Sequence, residues 1–295
     1  MIRRALVVIV IIVIAYAAYE WITFPNVVEL KQGFPKTTSF MEIRRAELRA
    51  EGKDDTLQYM PVPYGWISPY LRRGVLVAED NGFYEHSGVD TQAMREALER
   101  DWKRKKITHG GSTITQQLAK NLYLSPSRNP LRKIREYFIT MALERHLTKK
   151  RILELYLNVV EMGERVYGAE AASQFYFHKP ASALSPREAA LLAGCLPNPQ
   201  VMVASEPDKR LRARQRMILA RLRRWGYLVE SEVLTEKKPE APPQTDTALQ
   251  QTPPSDTASP APTVTETTTT TETTTTETTD TTQTTPVTTT TSPPP

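Results

Sequence analysis

The sequence holds one cysteine, Cys195, among 295 residues. A single thiol cannot close an intrachain disulfide, and the apolar, helix-like run around Cys195 reads as a small buried hydrophobe rather than a nucleophile. Histidine is also scarce. His86, His109, His146 and His178 are the only four, and none stands in an H-E-x-x-H or C-x-x-C context, so the spacing of a structural zinc site is missing. No alternating strand run appears in 61–230, which argues against a β-rich domain and for one that is nearly all helix. Residues 236–295 are mostly Thr, Pro, Glu and Asp, with eight acids against two bases and almost nothing to bury. Such a segment cannot offset its ordering entropy and reads as a disordered tail, here bounded at 231–295.

With the whole chain at +5 and residues 236–295 at −6, residues 1–235 carry about +11. The start of the chain explains why this charge does not point to nucleic acid. Ile2-Arg3-Arg4 precedes ALVVIVIIVIAYAA, residues 5–18, which is uncharged and dense in β-branched aliphatics. Extended through Trp21, Ile22 and Phe24, the run approaches the ~20 residues of a spanning helix, with Glu20 as its one acid. The arginines predict that residues 1–4 stay in the cytoplasm and that 5–24 form a single-pass anchor. Ala15-Tyr16-Ala17 is the competing signature of a cleaved signal peptide. On either reading the rest of the chain lies across the membrane from nucleic acid.

Residues 25–60 read as a connector with helix at 38–50. The region 61–230 is long enough for one domain with one core. Its helix starts are marked by Ser68-Pro69, Asp90, Thr113, Thr148 (before KKRILELYLNVVEM) and the capping box Ser185-Pro186-Arg187-Glu188, which opens a helix that stops at Pro197. A further helix is predicted over 130–147. Tyr59, Tyr64, Trp66 and Tyr70 fit either an interfacial belt or ordinary packing. Lys209–Arg224 is densely basic, with apolar residues interleaved, and fits either contact with anionic headgroups or a solvated face.

Three stretches could carry chemistry. In VAEDNGFYEHSGVD, residues 77–90, an apolar run ends in Glu79 and Asp80, followed by Phe83 and His86. A carboxylate in that position is either a cap or an acid-base group. In GGSTITQQLAKNLYL, Gly110–Leu124, a helix from residue 113 puts Ile114, Leu118 and Leu122 on one stripe and Thr113, Gln117 and Lys120 on another. A glycine pair before a helix N-terminus can receive an anion, although Lys120 lies too far along for a phosphate loop of the P-loop type. In NPLRKIREYFITMALERHL, Arg132 and Lys133 are four and three residues before Glu136, with Arg128 upstream. This is either a surface ion-pair ladder or an acid set among cations that hold a diphosphate.

Taken in order, EDNGFYEHSGVD, GGSTITQQLAKNLYL, RKIRE and RILELYLNVVEMGERVYGAEAASQFYFHKPASALSPREAALLAGCLPNP resemble the successive motifs of the peptidoglycan glycosyltransferases, family 51 of the glycosyltransferases. These are membrane-bound transglycosylases that polymerise lipid II. The resemblance covers about 61–230 and is closest to the monofunctional biosynthetic branch, because the S-x-x-K and K-T-G of a penicillin-binding domain are missing. One position departs: where the family often has G-x-G, this chain has Gly163-Glu164-Arg165, then Gly168.

The resemblance implies a mainly α, lysozyme-like domain that joins lipid-linked glycan to the 4-hydroxyl of lipid II by an inverting β-1,4 transfer, releasing undecaprenyl diphosphate for cell-wall synthesis. It implies Glu79 as catalytic base and Glu136 as the second essential carboxylate. Around the substrate it places Asp80, Phe83, His86, Ser112, Thr113, Gln116, Gln117, Lys120, Asn121, Arg128, Arg132 and Lys133. It leaves room for a divalent ion, magnesium or manganese, near Glu136, and for no organic cofactor. The implied partners are lipid II, the growing strand, membrane lipids and other cell-wall synthesis proteins. The implied location is the bacterial inner membrane, with the domain on the periplasmic or extracellular side, and moenomycin is the expected inhibitor. A glycan-cleaving enzyme on a similar fold would need one acid and no cation cluster. A scaffold would need neither. The expectation is therefore that Glu79 and Glu136 meet across one positively lined groove.

Overall fold

The computed structural model describes residues 2–228 except 93, 97, 98, 100–110 and 128. The tail expected at 231–295, Gly110, His109, Arg128 and most of the end of the helix after Asp90 lie outside the described residues. That helix is present where it is described, at 91, 92, 94–96 and 99.

The architecture is mainly α. Helix α1, Ile2–Ile22, is long and apolar enough to cross a membrane, with mean hydropathy 2.3 over its best window and no burial there. Residues 25–60 are more than a connector. Val27 and Leu30 join the hydrophobic core, and α2, Ser39–Ala50, buries Met41 and Leu48. Asn158 fastens the chain just past this segment: its Oδ1 accepts from Val62 N at 2.7 Å and its Nδ2 donates to Val62 O at 3.0 Å.

Three helices frame the site. Helix α3, Pro69–Glu79, starts from a Ser68 cap with proline at its first position, and buries Leu71, Gly74, Val75 and Val77. Helix α4, Ile114–Tyr123, opens with a full Thr113/Gln116 capping box and buries the expected Ile114, Leu118 and Leu122 stripe. Helix α5, Pro130–His146, is capped by Asn129. The helices α6, Lys149–Val159, α7, Ala169–Phe177, α8, Pro186–Cys195, and α9, Lys209–Arg224, complete the set. Helix α4 packs against α5 and α6, while α8 packs against α3 and α9.

The sequence pattern runs α6 on to Met162, but the helix stops at Val159. Val160 is extended, and its N–H still bonds Tyr156 O. Two β-branched valines and the Gly163 turn favour strand here. The strands β1, Gln58–Tyr59, β2, Glu161–Gly163, and β3, Val166–Tyr167, form a small sheet in the order β1-β3-β2, parallel then antiparallel. The departure from G-x-G falls in the β2–β3 turn, where Arg165 adopts a left-handed φ of 64°. Its guanidinium reaches Asp54 Oδ2 at 2.8 Å and Thr56 O at 3.2 Å, anchoring the turn to the β1 approach.

Candidate active site

Helix α3 delivers Glu79 to the wall of a cleft of about 620 Å3 that it shares with Asp80, His86, Ser112 and Thr113. Gln117 Nε2 donates to Glu79 Oε2 at 3.0 Å, and Gln117 Oε1 accepts from the Tyr156 hydroxyl at 2.8 Å. The second bond fixes the first: with the amide oxygen facing Tyr156, only the NH2 can face the carboxylate. Tyr156 is fully buried, and burial, with the charges of Glu79 and Asp80, raises its phenol well above the usual range. It therefore remains a donor.

Asp80 is a support. Its Oδ2 accepts from Ile114 N, the first N–H of α4, at 2.9 Å, and its Oδ1 is 2.9 Å from His86 Nε2. Gly88 N donates to His86 Nδ1 at 3.1 Å, so Nε2 carries the ring proton and donates to Asp80. A carboxylate at a helix N-terminus is favoured by the orphan N–H groups and the dipole. Phe83 is buried in the core, with the Lys149 ammonium 4.5 Å above its ring, so it braces the turn rather than facing the cleft. Thr113 and Gln116 are likewise committed. Thr113 Oγ1 donates to Gly88 O at 2.6 Å, and Gln116 Oε1 accepts from Thr113 N at 3.1 Å. Asn121 donates to Gln117 O at 2.9 Å, within its own helix.

A second cluster forms on α5. Glu136 is only 2% exposed. Arg132 Nη1 donates to Glu136 Oε2 at 2.6 Å, and Lys133 Nζ reaches Oε1. This is not a surface ladder, because the acid is buried beneath its cations. Lys120, on α4, feels this cluster. Burial lowers its pKa, Glu136 opposes that, and Arg132 and Lys133 add to it.

The cleft around Glu79 and the cluster around Glu136 are walled by different described residues, where one positively lined groove was expected. The lining of the cleft includes the acids Glu85, Asp90 and Glu96 but not Glu136, Lys120, Arg132 or Lys133. The reason is local: Glu136 turns into the protein to meet its own helix's cations. Helix α4 links the two places, with Gln117 at Glu79 and Lys120 within the field of Glu136. The environment of Glu136 does not suit a divalent ion, since both its oxygens are engaged by cations and such ions need free oxygen ligands. Asp80, His86 and Asp90 bring ligand atoms within 4.8 Å of one another, but both Asp80 oxygens are already bonded.

One residue of the site was hidden in the basic run. Arg214 Nη2 lies 3.6 Å from Glu79 Oε1, and its Nε donates to Gly194 O at 3.1 Å. Arg221 Nη1 donates to Val77 O at 2.7 Å. The signal was positional. Arg214 and Arg221 fall on the Leu211, Ile218 and Leu222 stripe, the buried face of α9, so they point inward with it.

Residues 46–223 match the family model described as transglycosylase. The chain is 44% identical over 215 residues to a biosynthetic peptidoglycan transglycosylase of Aromatoleum aromaticum, covering 73% of this chain and 93% of that relative. It is 42% identical over 207 residues to a relative of the same description from Laribacter hongkongensis, covering 70% and 91%. A third, from Azoarcus sp., is 50% identical over 166 residues, covering 56% and 72%.

Proposed function

The chain belongs to the transglycosylase family, and from that membership we propose that it polymerises peptidoglycan glycan strands at the membrane. The donor is lipid-linked glycan with an α-linked diphosphate, and the acceptor is the 4-hydroxyl of lipid II. Formation of a β-1,4 bond inverts the anomeric carbon in one displacement. The acceptor's O–H bond breaks as its C–O bond forms, and the diphosphate leaves with its bonding pair.

A hydroxyl loses its proton only as attack proceeds, and a placed carboxylate contributes ~10²–10⁴-fold to such a step. Glu79 takes that proton. The diphosphate is a good leaving group that needs cations more than an acid, and Lys120, Arg132 and Lys133 receive it. Glu136 keeps Arg132 and Lys133 in place, acting through them. No step needs a metal ion. Helix α1 holds the enzyme in the bilayer that holds its substrate, with the domain on the outer face, and confinement to one plane raises the effective concentration.

The observation that carries this reading is the placement of Gln117 and Lys120 on one face of α4, one at Glu79 and the other beside the α5 cations. The test is incubation with lipid II alone in vesicles. Polymer is the expected product, and a glycan-cleaving enzyme would leave lipid II unextended. Glu79→Gln should abolish polymer and leave the circular dichroism spectrum intact. Polymer forming at the wild-type rate would remove Glu79 from its role.

A further inference from the structure

A smaller pocket opens along α3, apart from the Glu79 cleft and the α5 cluster. It holds about 200 Å3, and its walls include Tyr64, Arg72, Arg73, Leu76, Tyr84 and Tyr227. Sites for whole small molecules run to ~300–1,000 Å3, so this one suits a terminal group rather than a sugar. Arg72 is half-buried and Arg73 exposed. Among the described residues neither pairs with a carboxylate. Each guanidinium lies over a ring instead, Arg72 4.3 Å from the centroid of Tyr64 and Arg73 4.8 Å from that of Tyr227. The Lys150 ammonium lies 5.2 Å from the Tyr64 ring as well, so positive charge gathers here. Stacking occupies the face of a guanidinium and leaves its N–H edge for an acceptor. The matching acceptor is planar and bidentate, as a carboxylate is.

The two rings are fixed by backbone bonds. Tyr64 N donates to Glu154 Oε1 at 2.6 Å. Tyr227 follows the stop of α9, where Gly226 has φ 70° and Tyr227 N donates to Leu222 O at 2.9 Å, the bond of a Schellman cap. Helix α3 ties the pocket to Glu79. Arg72, Leu76 and Glu79 are spaced i, i+4, i+7, so they share one side of the helix, and seven residues rise about 10.5 Å. The turn after α3 makes the same link: Tyr84 lines the pocket, and its neighbour Glu85 lines the cleft. A substrate whose hydroxyl meets Glu79 thus has a second anchor point about two helical turns away.

We propose that this pocket receives a carboxylate from the peptide arm of the acceptor, and that Arg72 and Arg73 set a preference for acceptors carrying that charge. The proposal rests on the polymerase reading above and assigns a part of the substrate that neither the base nor the cation cluster touches. Lipid II carries a short peptide with free carboxylates on the sugar next to the one that reacts. With the reacting hydroxyl at Glu79, the arm runs back along α3 and its acid meets the guanidinium edges. The contact orients the acceptor without entering the bond-making step.

The full-length protein in vesicles of phosphatidylethanolamine and phosphatidylglycerol is given an equimolar mixture of two substrates: lipid II with free peptide carboxylates, and lipid II with those carboxylates converted to amides. Each added unit joins the polymer as an acceptor, so the ratio of the two in the product, read by mass, is the ratio of their kcat/KM. The free acid is expected to be preferred on the order of tenfold, the scale of one hydrogen bond to a charged group. Arg72→Gln combined with Arg73→Gln should bring the ratio to parity. Arg73→Gln alone, at the exposed guanidinium, should lower it several-fold and keeps the test intact if the double variant does not fold. A purely structural role for the arginines slows both substrates together and leaves the ratio standing, which overturns the proposal. Parity in the wild-type protein also overturns it, and is the result if the pocket holds a lipid phosphate instead. Polymer formed at parity rejects the pocket alone, whereas no polymer from either substrate rejects the polymerase reading beneath it.

Discussion

The Gln117 amide meets the Glu79 carboxylate at 3.0 Å with its orientation dictated from behind by Tyr156. Glu79, the proposed base, is therefore aimed by an uncharged donor. Gln117→Ala should lower kcat by up to about 10²-fold, the scale on which small misplacements act, with little change in melting temperature. Steady-state kinetics on lipid II would show it; an unchanged kcat would mean the contact is incidental. Tyr156→Phe leaves the Gln117 carbonyl without its buried partner and should cost about 1–3 kcal/mol of stability.

Lys120 sets an alkaline limit. A lysine is charged below its pKa, and burial lowers that of Lys120 from the ordinary 10.5. Its positive charge is thus lost at a lower pH than for an exposed lysine, and diphosphate binding weakens there. The alkaline limb of kcat/KM should fall below 10.5 and move upward in Lys120→Arg, which stays charged. A limb that does not move would assign it to another group.

Among the described residues, Arg214 is the cation paired with Glu79, at 3.6 Å. Arg214→Gln should lower kcat more than it raises KM, because the residue touches Glu79, the proposed base, rather than the Arg132–Lys133 cluster. Arg214→Lys should recover part of the loss. A pure KM effect would place Arg214 in substrate binding instead.

Most of the helical frame was legible in the sequence because caps and stripes are local signals. Ser68-Pro69, Thr113 with Gln116, and Ser185 with Glu188 each start a helix where the pattern placed it. What was not legible depended on distant partners. The end of α6 is decided by the pairing of 161–163 with 166–167. The attachment of 25–60 is decided by residues such as Arg151, whose Nε donates to Leu30 O at 2.8 Å. Glu20 looked like a flaw in an apolar run until Arg135, far along the chain, supplied its partner. The i, i+3 and i, i+4 pairs at Glu136 were readable, but its burial, which gives the pairs their weight, was not.

Arg165 holds a left-handed backbone at φ 64° where glycine would be unstrained. Arg165→Gly loses the pair with Asp54, worth about 0–1 kcal/mol, together with the bond to Thr56 O, and relieves a backbone cost of about 1–2 kcal/mol. Its melting temperature should stay near that of the parent. Arg165→Val keeps the strain, adds a branched side chain and loses the pair, and should destabilise by about 1–3 kcal/mol. Thermal unfolding of both variants checks the contrast; equal melting temperatures would dismiss the strain argument.

Because Gln117 and Lys120 share one short helix, the spacing between the proposed proton acceptor and the proposed leaving-group cations behaves as a built-in gauge. Three residues of helix rise about 4.5 Å, and one inserted residue would swing everything beyond it by about 100°. Drift across this stretch of chain is therefore far more damaging as an insertion or deletion than as a substitution, even though every side chain would survive the slip.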